Sequence, residues 1–250
     1  MAIKAHVEGH VFDLNTLVEL FEQGDPQMVK EADGYYLKSA RFDGQAGDGA
    51  QLVKTGTGLL RQVMGIARAL DSSFRPVTLT GRFVDEDSGV HHVVVADTAS
   101  ARARASVVVT QVEPAAPAPP PPPTGPEYFD LIATHPVVDE VLEILGGSSV
   151  SLTWVDLYKV YEIVRHEVCD EKALKAKAWV TGGEMSAFTA SANRPDVSHS
   201  EARHARVQGG PPKRTMTLAQ GEDFIRRLVV AWWDSLKQPE ADDVPEDEEG

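Results

Sequence analysis

Apolar residues follow two different periods along this chain, and the change falls near its middle. Ile3, Ala5 and Val7 alternate with polar residues and predict a strand. Gly9-His10-Val11-Phe12 reads as a first hairpin, and Asp13-Leu14-Asn15-Thr16 opens a short helix to about Phe21. Gly34-Tyr35-Tyr36-Leu37-Lys38-Ser39 follows the Asp33-Gly34 turn signal and predicts a second strand. Leu52, Leu59, Val63, Ile66 and Leu70 then recur at helical spacing over residues 49–70. Gly56, Gly58 and Gly65 each weaken that helix by about 1 kcal/mol, which predicts close packing against a sheet. Residues 77–83 and 91–95 flank an acidic turn as two more strands, and 106–112 add another. These elements make a small α+β domain over residues 1–112.

From residue 127 onward every segment reads as helix. Residues 127–145 carry Phe129, Ile132, Val137, Val141, Leu142 and Leu145 at helical spacing. Residues 151–168, SLTWVDLYKVYEIVRHEV, form the most apolar helix, with Thr153, Asp156, Lys159, Glu162 and Arg165 as one narrow polar stripe. Two further helices are expected over 171–180 and 183–193. Ser198-His199-Ser200-Glu201 fits a capping box and predicts a short helix through Arg203, His204 and Arg206. Thr217-Leu218-Ala219-Gln220 is a second box, opening a last helix with Leu218, Ile225, Leu228, Val229, Trp232 and Leu236 on one face. Trp233 lies about 100° round the axis from Trp232; core packing accounts for both, with a partner contact at one of them as the alternative reading. The expectation is an all-α helical bundle over 127–237.

Composition changes this picture at the joint and at the tail. Residues 114–126, PAAPAPPPPPTGP, hold eight of the sixteen prolines. Proline fixes φ and donates no hydrogen bond, so residues 113–126 read as a polyproline linker, roughly 40 Å long at about 3.1 Å per residue. The fold class expected is therefore an α+β N-terminal domain joined by a polyproline linker to an all-α helical-bundle C-terminal domain. The formal charge is −14, of which seven acidic residues in 238–250 supply −7, and that stretch reads as a disordered acidic tail. Residues 194–214 run the other way, with five Lys and Arg against Asp196 and Glu201. A local basic patch suits an anion, whereas the overall charge opposes nucleic acid. No apolar run is long enough to span a bilayer, and no leader segment is apparent, so a soluble cytoplasmic protein with no membrane contact is expected. The single Cys169 leaves no disulfide framework and no cysteine zinc site.

Few motifs carry chemistry. Lys54-Thr55-Gly56-Thr57-Gly58 lacks the ending of a P-loop and lies inside a predicted helix. His6, Glu8 and His10 do not form H-E-x-x-H, and His91-His92 point to opposite faces of a strand, so no metal and no cofactor is expected. The informative stretch is 184–214, which concentrates Asn193, Arg194, His199, Arg203, His204 and Arg206. Metal-free phosphodiester cleavage needs such groups: His204 or His199 to move protons, and Arg194 and Arg203 to hold phosphate. Asn193 and Arg206 would position the ligand, and the stripe Lys159, Glu162 and Arg165 would face the cluster, with Glu162 orienting a basic group. The same residues also serve as structural groups, capping carbonyls or pairing with Glu162 or Asp156.

Several stretches resemble an uncharacterised, largely actinobacterial group of bacterial proteins: WVDLYKVYEIVR (154–165), FTASANRPDVSHSEARHA (188–205), PPKRTMTL (211–218), GHVFDLNTLVELF and SFRPVTLTGRF. Arg194-Pro195-Asp196-Val197-Ser198-His199 has the Arg-x4-His spacing that resembles the HEPN superfamily of helical bundles. That resemblance implies a metal-independent endoribonuclease or nucleotide-binding module in stress or phage defence, its site completed by a homodimer of the helical domain. The first reading is nevertheless a non-catalytic two-domain adaptor that binds protein partners through each domain, with RNA or a nucleotide as ligand under the second. Geometry separates them. Arg194, Arg203, His204 and Glu162 converging in an open cleft favours an enzyme, and separately paired groups favour the adaptor.

Overall fold

Strand β1 (Ile3–Glu8) keeps the expected alternation, burying Ile3, Ala5 and Val7 and leaving Lys4 and His6 half-buried on the other face. The computed structural model describes residues 2–89, 91–94, 124–147, 149–206 and 210–237. The hairpin expected at residues 9–12 is absent, because the chain enters helix α1 (Val11–Leu20) directly. His10 is the cause: its backbone is extended and its Nδ1 accepts the Phe12 N–H at 3.4 Å, so the helix starts before Asp13. A strand the pattern did not mark, β2 (Gln27–Glu31), pairs with β3 (Gly34–Lys38) across Ala32-Asp33. After helix α2 (Gly49–Leu70), strands β4 (Thr78–Asp85) and β5 (His91–Val93) complete an antiparallel sheet in the order β2-β3-β1-β4-β5. The strand expected over 106–112 lies outside the described residues.

Register places Met28, Leu37, Ala5 and Phe83 side by side, and all four are buried. Helix α2 approaches this face at Gly56, where a Cβ would stand 3.0 Å from Leu79. The pairing of β1 with β4 slips between Ala5 and Val7, and Gly81 takes up the extra length with φ +76°, a conformation that favours glycine. The opposite face is covered by charge. Lys4 lies 4.5 Å above the Tyr36 ring and pairs with Glu31 at 2.5 Å, while Lys38 pairs with Glu86 at 2.6 Å. Arg82 reaches both Asp33 (3.0 Å) and the Tyr36 hydroxyl (2.9 Å), which itself donates to Asp33 at 2.7 Å. Three cations therefore meet three carboxylates over a fully buried tyrosine, and no net charge is left to attract a ligand there.

The helical part begins earlier than expected. Contacts divide the chain into Met1–Val63 with Pro76–Pro126, and Met64–Arg75 with Glu127–Gly250. The last turns of α2 thus belong with the helices, whereas the sequence assigned them to the first domain. Gly65 accounts for this, since a Cβ there would meet Leu142 at 2.8–3.0 Å rather than a sheet, and Gly58 has nothing within 4 Å. Most of the polyproline linker falls outside the described residues. Its end, Gly125-Pro126, opens helix α3 (Gly125–Phe129), where a proline in the first turn costs no hydrogen bond.

The single helix expected over 127–145 is three: α3, α4 (Leu131–Thr134) and α5 (Pro136–Leu145). His135-Pro136 breaks it, because the residue before proline is driven out of helical geometry, and His135 sits at φ −130°, ψ 84°. Helices α6 (Trp154–Glu167), α7 (Glu171–Ala176), α8 (Gly182–Asn193), α9 (Pro195–Ser198) and α10 (Leu218–Leu236) follow. Phe188 of α8 is the hub of their core, 4.8 Å from Phe224 of α10 and 5.4 Å from Tyr161 of α6, with Trp154 and Tyr158 beside it. Gly221 lets α10 approach, since a Cβ there would stand 2.5 Å from Trp154. Trp232 and Trp233 are both buried, so core packing takes both, and the alternative of an exposed partner contact at one of them does not hold. Among the described residues no helix is long and apolar enough to cross a membrane.

Candidate functional site

Helix α8 stops at Asn193 because Pro195 forces Arg194 into extended geometry, φ −104° and ψ 119°. The chain makes one turn of α9, passes through His199 at φ +52°, and continues as a 3-10 turn, His199–Glu201. The capping box expected at Ser198 does not form, nor does a helix through Arg203, His204 and Arg206. Ser198 donates its hydroxyl to the Ser191 carbonyl instead, and the Arg203 N–H donates to the Ala192 carbonyl at 2.8 Å. The fully buried Ser191 hydroxyl accepts the Met216 N–H at 2.7 Å. The loop thus folds back to satisfy the orphan carbonyls of α8, and this competing use explains the failed prediction.

The two arginines expected to hold phosphate, Arg194 and Arg203, are committed to separate partners. Arg194 makes a two-pronged contact with Asp196 at 2.9 and 2.8 Å, which holds the Asp196 carboxyl below its usual range and the Arg194 guanidinium above its own. Arg203 lies 4.4 Å above the Tyr158 ring and 3.5 Å from Glu162, one turn further along α6. Glu162 does orient a basic group, as expected, but the pair neutralises itself. Arg165 turns away to Glu171 at 3.9 Å and stacks 5.6 Å over Tyr161. Lys159 is exposed, and Thr153 and Asp156 are taken up in the α6 cap. His199, His204 and Arg206 are exposed, and their side chains make no hydrogen bond or ion pair among the described residues. The Asn193 Oδ1 is buried without a partner.

A second polar assembly escaped the sequence pattern. Within the helical unit a cavity of about 390 Å³ is floored by Phe74, Leu145, Leu157 and Ile225. Arg68 forms one wall, 7% exposed, donating to the carbonyls of Leu145 (2.9 Å), Val150 (3.4 Å) and Ser149. Burial pushes its guanidinium below the usual value, and Glu222 and Asp156 act on it only through space. Arg226 on α10 donates to the carbonyls of Arg68 (3.1 Å) and Leu70 (3.2 Å), closing the C-terminal end of α2. The signal available was Arg68 itself, a charge set inside the apolar run Met64-Gly65-Ile66-Ala67-Arg68-Ala69-Leu70.

Among the described residues no group of His, Cys, Asp and Glu is placed to hold a metal ion. No family model, curated protein or solved structure matches the chain.

Proposed function

We propose that this chain is a non-catalytic two-domain interaction protein, an adaptor that binds protein partners through its α+β and helical parts. The observation that supports this is the pairing just described: both arginines expected to hold phosphate are already neutralised by carboxylates of the same chain. An adjacent apolar pair adds to it, because Val11 and Phe12 are 47% and 66% exposed at the start of α1. The stress or phage-defence setting is the one the sequence resemblance implies. A HEPN-like ribonuclease would first have to break Arg194 from Asp196 or Arg203 from Glu162.

Cross-linked capture of the full chain from cells that naturally contain it tests the adaptor. The expected result is a reproducible, stoichiometric protein partner whose recovery falls with Phe12→Ser while the variant stays folded. Recovery of RNA fragments in place of a protein would contradict it.

A further inference from the structure

We propose that the cavity beside Arg68 is a binding site for a small amphipathic amine, held by its apolar body on the helical floor and by its ammonium on Glu222. The volume, about 390 Å³, lies within the range of roughly 300–1,000 Å³ usual for small-molecule pockets. Its floor is aliphatic and aromatic: Phe74, Leu145, Leu157 and Ile225, with Leu152 and Ala219 completing it. Val150, 71% exposed at the edge of the cavity, offers further apolar surface that a ligand would cover.

The sign of the polar group follows from what is already used. Five charged side chains line the cavity, three carboxylates and two guanidiniums, so the lining is net negative. Arg68 is spent on three backbone carbonyls and Arg226 on two, with Asp223 a further 3.6 Å away. Asp223 is also held by Arg227 at 3.3 Å, and Asp71 accepts the N–H and hydroxyl of Ser73, both at 2.7 Å. Glu222 remains. It is half-buried on α10, lines the cavity, and makes no hydrogen bond or ion pair among the described residues. An anionic ligand would find the basic groups occupied and this carboxylate opposing it. A cation finds an acceptor facing a low-dielectric wall, where a charge-assisted hydrogen bond is strong.

The test uses the full chain and three probes of one length that differ in head group: n-octylamine, n-octanol and octanoate. Binding is followed by calorimetry and by amide chemical shifts. Octylamine is expected to bind tightest, shifting the amides of Arg68, Leu152, Glu222 and Ile225. Glu222→Gln should weaken octylamine about tenfold while leaving octanol unchanged. Leu152→Trp, which fills the cavity, should abolish binding of both. Octanoate binding as well as octylamine, equal octylamine affinity in wild type and Glu222→Gln, or no octylamine binding by the wild type would each overturn the proposal. If either variant fails to fold, the ranking of the three probes on the wild type decides it alone.

Discussion

Each residue of the Arg/His cluster has a cost that follows from what it touches. The Arg203–Glu162 pair is about one-third exposed on both sides, so Arg203→Ala should cost less than about 1 kcal/mol in urea denaturation. Phe188→Ala, at the centre of the aromatic core, should cost about 3–5 kcal/mol by the same measurement. Gly221→Ala should cost about 1–3 kcal/mol, because its methyl would overlap Trp154. Ionisation marks the core as well. Burial first, and then Asp33, pushes the Tyr36 phenol up to about 12, and burial and Glu171 do the same for Tyr161. Both folded values lie above the ordinary 10.0, so their contribution to stability is complete below pH 10 and is lost as pH rises towards 12. An absorbance titration should show tyrosines ionising late and together with unfolding. Glu184 has the opposite sign. Hydrogen bonds from Thr181 hold its carboxyl below 4.5, so its contribution is present above that pH and lost as pH falls through the lowered value. Glu184→Gln should accordingly flatten the acid limb of the stability curve.

At the scale of elements, what was legible in the sequence is what depends on local period and capping. Helix α2, the capped start of α10 and the alternation of β1 all follow from side chains within a few residues of one another, whereas Thr153 and Asp156, read as part of the stripe on α6, form its capping box instead. Helix α8 starts one residue early, because Thr181 and Glu184 form a capping box of their own. Strand β2 was hidden because Gln-Met-Val-Lys-Glu has no alternation: it lies at a sheet edge, where one side needs little apolar surface. The helix expected after Ser198 was lost to a tertiary competitor, the carbonyl of Ser191, which no local rule registers. The candidate site was legible in part. That Glu162 meets a basic group was read from the polar stripe, but not that the group is Arg203, and Asp196 capturing Arg194 was read as spacing within a motif. Removing the tether should expose this dependence. Ser191→Ala deletes the acceptor of the Met216 N–H, at a cost of about 1–3 kcal/mol, and should speed amide exchange at Met216.

For the whole molecule, the proposed adaptor reading implies that the basic patch, with Arg194 and Arg203 already held by carboxylates of the same chain, does not cut RNA. The sheet surface around Tyr36 repeats this pattern, with Lys4, Lys38 and Arg82 each matched by a carboxylate. The −14 formal charge opposes long-range attraction of a polyanion. The most direct measurement is expression in a bacterial host of the wild type and of His204→Ala, each checked for folding, with growth and RNA integrity as readouts. The account predicts normal growth and intact RNA from both. Growth arrest with RNA loss in the wild type, abolished in a folded His204→Ala protein, would contradict it and make the cluster a catalytic site.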